Sequence, residues 1–264
     1  MRITLWAFTL LLGLLIVGAA KCSQPENQAG ASVTPVQPQP ADASALAAGN
    51  PARGMQGLSF VYLHHSCGSG FLDEGGMSAK LTALGLDVHD ITYGDGWIGD
   101  NTNPDHFPTT FGEHMDEVLG WELSGGKKHD IVAFKSCYPA CDVSSDEMLE
   151  AYKGYYNTLK PFFAKQPKTL FVAWTAPPLV PGATKPENAA RYRKFAQWLK
   201  TEWPKGQGNV AVFDCYNLLA GKDDMLSAGY RRNESDSHPN AEGNKAVAQA
   251  FADWLPAAVK AWQG

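Results

Sequence analysis

Basic side chains are in short supply in this chain. Its 264 residues carry 22 Lys and Arg against 27 Asp and Glu, a formal charge of −5. Binding to nucleic acid needs a basic surface to displace phosphate counterions, so this balance argues against a nucleic-acid partner. Long apolar runs are scarce as well, and the run from Ile3 to Val17 is short for a bilayer span. There are only five cysteines, and no two of them form Cys-x-x-Cys, which weakens a structural zinc site. No internal repeat is visible, which removes the solenoid and propeller architectures. What remains is a chain 44% hydrophobic and 19% charged, enough for one substantial core.

The first segment reads as an address. Arg2 precedes the apolar run, and Gly18-Ala19-Ala20 supplies small residues for cleavage. Residues 1–20 are therefore expected to be an export signal, with a retained membrane anchor as the alternative. Lipid attachment at Cys22 is disfavoured, because Lys21 occupies a place where such signals carry a small residue. Residues 21–56 are rich in Pro, Gln and Ala without apolar periodicity, the composition of a tether. The expectation is an exported protein, periplasmic or extracellular, tethered or free, monomeric, with one folded domain over 57–264. Exported chains favour disulfides, and Cys67, Cys137, Cys141 and Cys215 are the candidates within that domain.

Within the domain, strand and helix signals alternate. Short apolar runs predict strands over 58–63, 87–92, 130–134, 169–174 and 210–214. Helices are predicted over 77–84, stopped by Gly85, over 187–202 and over 241–261. Thr110-Phe111-Gly112-Glu113 reads as a capping box opening a helix through Leu119. Ser144-Ser145-Asp146-Glu147 reads as another, and Met148, Leu149, Tyr152, Tyr155, Tyr156 and Leu159 give its helix an apolar face. Repeated βα units imply a doubly wound three-layer α/β/α fold around a five-stranded parallel sheet, with any site at the carboxyl ends of the strands.

Chemistry-bearing residues gather at those ends. Leu63-His64-His65-Ser66-Cys67 follows the first strand, Trp97-Ile98-Gly99-Asp100 the second and Lys135-Ser136-Cys137-Tyr138 the third. Asp236-Ser237-His238-Pro239-Asn240 precedes the last helix. A serine becomes a nucleophile only when a histidine takes its proton and a carboxylate holds that histidine's tautomer. Ser66, His238 and Asp236 are the candidates, with Glu234 as the fallback carboxylate and Ser136 as a weaker alternative nucleophile. The adjacent His64 and His65 should diverge, one packed and one lining the site, rather than hold a metal. Tyr93, Trp97, Phe107, Tyr138 and Trp174 all fall near strand ends, where most should pack in the core or rim.

This order of segments resembles the SGNH hydrolases, the GDSL esterase superfamily, and the likeness runs over essentially all of Leu58 to Ala261. The resemblance implies an SGNH/flavodoxin-like sheet and Ser66, Asp236 and His238 as the triad. It implies oxyanion donors at Ser66 and Gly99, with Cys137 in the loop where the family carries an asparagine. Thr175-Ala176-Pro177-Pro178-Leu179 is similar to the family's proline-containing segment after strand four. Three departures stand out. His64-His65 replaces Gly-Asp before the serine, the block-three asparagine is missing, and one residue rather than two separates Asp236 from His238.

The resemblance implies an esterase acting on O-acyl esters, O-acetyl first and carbohydrate-borne by preference, with no cofactor and no metal. His65, Trp97 and Tyr138 are its expected substrate contacts. The alternatives are a polysaccharide O-acetyltransferase using the same triad and a silent carbohydrate-binding protein on the same scaffold. The strand order of this fold makes strands one and three neighbours, which suggests disulfides Cys67–Cys137 and Cys141–Cys215.

Overall fold

A computed structural model describes residues 54–264; the expected signal and tether fall outside this range, apart from its last residues. Met55 is buried, so packing begins just ahead of the boundary expected at Gly57.

Five parallel strands form one sheet in the order β2-β1-β3-β4-β5. They are β1 Ser59–Leu63, β2 Asp87–Ile91, β3 Ile131–Lys135, β4 Leu170–Trp174 and β5 Val210–Phe213. The expected three-layer α/β/α architecture is the one observed. In the central strands the apolar runs split by period two. Val61, Leu63, Val132, Phe134, Phe171 and Ala173 face one core. Phe60, Tyr62, Ile131, Ala133, Leu170, Val172 and Trp174 face the other. A strand buried on both faces has no polar side, which is why these runs are continuous in sequence. The edge strands β2 and β5 are partly exposed, and their sequences are correspondingly mixed.

The first core is closed by α4 Phe107–Glu113, α5 Met115–Gly120, α6 Asp146–Ala164 and α7 Pro186–Thr201. The second is closed by α1 Ser66–Leu72, α2 Met77–Ala83, α8 Cys215–Leu219 and α9 Ala241–Gln263. One further short helix, α3 Gly96–Asp100, follows β2.

Several local expectations change. Thr110 does not cap a helix: it lies inside α4, and its hydroxyl donates to the His106 carbonyl. Pro108 near the start of α4 initiates that helix instead, as proline's fixed φ allows. The cap of α6 is Ser145 rather than Ser144, its oxygen accepting the Met148 N–H at 3.2 Å. The short helices α1, α3 and α8 have no counterpart among the predicted helices; at seven, five and five residues they are too brief to show a helical period.

The expected disulfides are not formed. Cys67, Cys137, Cys141 and Cys215 are all free and buried. Cys141 packs in the first core and Cys215 in the second, so the sheet separates them. The Cys141 thiol is instead engaged with the carbonyls of Ala176 and Pro177, at 3.5 and 3.0 Å. Cys67 turns into the second core with α1, while the Cys137 sulfur points to the Ser66 hydroxyl at 3.9 Å.

Candidate active site

Ser66 opens α1 immediately after β1, at the carboxyl edge of the sheet. The turn is tight because Gly68 has no side chain: a Cβ there would sit 2.3 Å from the His64 ring. His64 is fully buried, its Nδ1 donating to the His65 carbonyl at 3.0 Å and its Nε2 facing Asp90 at 3.2 Å. His65 is also buried, and its Nε2–H donates to the Gly99 carbonyl at 2.7 Å. Burial pushes the His65 pKa down, which favours the neutral ring. The Tyr93 ring covers that imidazole, stacked at 3.7 Å between centroids.

The other half of the site comes from the turn before α9. Asn240 caps that helix by accepting the Gly243 N–H at 3.0 Å, and its amide donates to the carbonyls of Gly229 and Arg231. Asn233 accepts the N–H groups of Ser235 and Asp236, both at 2.9 Å. The buried Ser237 hydroxyl accepts the Val180 N–H at 3.1 Å, tying the turn to the segment after β4. Every sharp change of direction here is thus held by a local polar side chain.

That scaffold brings together residues 172 positions apart. His238 Nε2 lies 2.8 Å from Ser66 Oγ, and His238 Nδ1 lies 2.6 Å from Asp236 Oδ1. The backbone N–H of His238 donates to the same carboxylate and is the main reason its pKa falls below the usual range. An ionised carboxylate only accepts, so Nδ1 carries the proton and the Nε2 lone pair faces the serine hydroxyl. Tyr138 stands edge-on to the His238 ring at 5.0 Å. Glu234, the fallback carboxylate, pairs with Arg231 at 3.2 Å. Ser136 is buried.

The remaining expected residues are placed as follows. Gly99 is buried in α3, and a Cβ there would meet the Thr92 carbonyl at 2.0 Å, so no larger residue fits. No backbone carbonyl takes the Cys137 N–H among the described residues, and Ser66 at the head of α1 has no preceding turn to donate into. Trp97 is 39% exposed and stacks on His114 at 4.7 Å. Phe107 and Trp174 are fully packed in the core. Two features carried more weight than their sequence signal suggested. Tyr93 was visible only as one of several aromatics near strand ends. Lys135 is fully buried at the end of β3, its Nζ donating to the Ser136 carbonyl at 3.3 Å. No cluster of three or more His, Cys, Asp or Glu side chains suited to a metal ion occurs among the described residues.

Strand order and the order of segments give the three-layer α/β/α fold that the resemblance to the SGNH hydrolases implies. No family model matches it, and no curated protein matches it in sequence. Among solved structures it is similar to a Streptococcus pneumonia protein provisionally described as a platelet activating factor. The two share 12% identity at a TM-score of 0.51, over 78% of this chain and 89% of that one. A protein from Bacteroides fragilis provisionally described as an acylhydrolase gives 14% identity and a TM-score of 0.45, over 76% and 88%. A gut microbial diltiazem-metabolizing enzyme gives 12% and 0.48, over 75% of this chain but only 46% of its own. At such identities the likeness to the first speaks for the fold, and the chemistry rests on the residues above.

Proposed function

We propose that the chain is a serine ester hydrolase in which Ser66 is the nucleophile, His238 the general base and Asp236 the residue that orients it. One observation supports this above the others: the unbroken chain from Asp236 Oδ1 through the His238 ring to Ser66 Oγ, with links of 2.6 and 2.8 Å. A base within hydrogen-bond reach of a hydroxyl, itself held by a third group, is the geometry of an activated serine.

In the proposed reaction the Ser66 proton passes to His238 Nε2 as Oγ bonds to the ester carbon. The carbonyl π electrons move onto oxygen, where the N–H groups of Ser66 and Cys137 stabilise the charge. Collapse of the adduct expels the alcohol, which takes the proton from His238. Water then repeats the sequence on the acyl-serine. Trp97, Tyr138 and the Tyr93–His65 stack border the substrate. An exported enzyme acting on O-acetylated carbohydrate is our reading of the substrate and setting, supported by the N-terminal sequence and by these ring faces.

The test is labelling with a fluorophosphonate, which reacts only with an activated serine, followed by mass mapping. Modification at Ser66, lost in His238→Ala, is the expected result. A folded protein that takes no label would overturn the reading.

A further inference from the structure

The loop after β3 lacks the asparagine that the SGNH pattern uses to hold the oxyanion; it carries Lys135-Ser136-Cys137 there instead. The Cys137 sulfur lies 3.9 Å from Ser66 Oγ, so it borders the reacting atoms, but S–H is a weak donor. A better donor stands beside it. Tyr93, in the loop after β2, is 56% exposed, one of only two exposed large apolar side chains among the described residues. Exposure does not leave it unplaced. Its ring stacks on His65 at 3.7 Å with planes tilted by 22°, and His65 is fixed by its bond to the Gly99 carbonyl. The Cys137 thiol is a neighbour of the Tyr93 phenol. The ring thus stands over His65, the residue before Ser66, with the thiol that borders Ser66 Oγ as a neighbour of its phenol.

We propose that Tyr93 is a catalytic residue whose phenolic O–H donates a hydrogen bond to the tetrahedral oxyanion, in the place the missing asparagine would have filled. The inference rests on the esterase reading of the site. In the resting enzyme the hydroxyl has the weakly accepting Cys137 sulfur as a neighbour. When Ser66 Oγ adds to the ester, the new oxyanion is the stronger acceptor, and the hydroxyl turns to it with no proton transferred. Partial burial and then the Cys137 neighbour push the Tyr93 pKa up to about 12, so the group keeps the proton it donates. Donors aimed at the position where charge develops act on the transition state more than on bound substrate.

Tyr93→Phe keeps the stack on His65 and removes only the donor. The expected result is a kcat lower by ~10–100-fold with KM within about twofold. A trifluoromethyl ketone, whose adduct with Ser66 carries the same oxyanion, should lose affinity by a similar factor. The inference is overturned if Tyr93→Phe keeps kcat within twofold, if the loss falls on KM alone, or if the ketone binds the variant as tightly as wild type. Ser66→Ala run in parallel separates the two levels. A wild-type protein with no Ser66-dependent turnover overturns both readings, whereas Ser66-dependent turnover that ignores Tyr93→Phe overturns only this one.

Discussion

One carboxylate oxygen of Asp236 serves His238 twice, accepting the ring Nδ1–H at 2.6 Å and the backbone N–H at 2.9 Å. The second bond explains how one intervening residue suffices where two are usual. The Asp236-Ser237-His238 turn folds back on its own carboxylate, and Ser237 is anchored from outside by Val180. The tautomer that leaves Nε2 free to accept the serine proton follows from this contact. Replacing Asp236 with Asn removes the charge and lets either tautomer form. Asp236→Asn should lower kcat/KM by ~10²–10⁴-fold, while Glu234→Gln, which breaks only the pair with Arg231, should leave it nearly unchanged. Steady-state kinetics on a small acetyl ester compares the two directly; the reverse ranking would reassign the orienting role.

Loss of the nucleophile is the harsher change. Ser66→Ala should cut turnover by ~10⁴-fold or more with the fold intact, since the hydroxyl's partners are the His238 ring and, at 3.9 Å, the Cys137 sulfur. Circular dichroism beside the ester assay checks both halves. Activity above a few per cent of wild type would move the nucleophile elsewhere.

Much of this architecture was legible in the sequence because burial writes itself plainly there. Phe60 to Leu63 and Leu170 to Trp174 are continuous apolar runs since both faces of their strands are covered. Ser66, Asp236 and His238 could be named because each sits beside a strand or helix boundary that the pattern fixes. The position of Tyr93 could not be read, because it depends on a stack with His65 across two loops, and no spacing encodes that. The cysteine pairing failed for a related reason. Strand order brings chain segments together, but the turns and short helices after the strands decide on which side of the sheet a side chain packs: Cys141, in the turn after β3, lies in one core and Cys215, at the head of α8, in the other.

The anchor of the catalytic turn can be tested apart from its chemistry. Ser237 is buried and touches no reacting atom, yet its oxygen satisfies the buried Val180 N–H. Ser237→Ala leaves that donor without a partner and should cost about 1–3 kcal/mol of stability in urea or guanidinium unfolding. Turnover should fall with it, because the turn carrying Asp236 and His238 loses its tie to the segment after β4. A variant as stable as wild type would show that this bond does not hold the turn.

The buried thiols set how the protein responds to alkali. Burial pushes Cys67 up to about 12 and raises Cys141 and Cys215 as well, so in the folded state these groups keep their protons well above the pH at which free cysteines ionise. The sign of the linkage follows. Their contribution to stability is complete below the unfolded thiol pKa of about 8.5 and is lost as pH rises towards the folded values, because the unfolded chain releases protons that the fold retains. Unfolding free energy measured under reducing conditions should therefore decline from about pH 8.5 upwards, together with a contribution from buried tyrosines such as Tyr62 and Tyr192, whose pKa values burial also raises. The same burial shields the sulfurs from reagents. With Ellman's reagent at pH 8, Cys67, Cys141 and Cys215 should react slowly in the native protein and rapidly after denaturation without reductant. Fast labelling of Cys67 in the native state, or thiols that appear only after a reductant is added, would contradict the buried free-thiol arrangement.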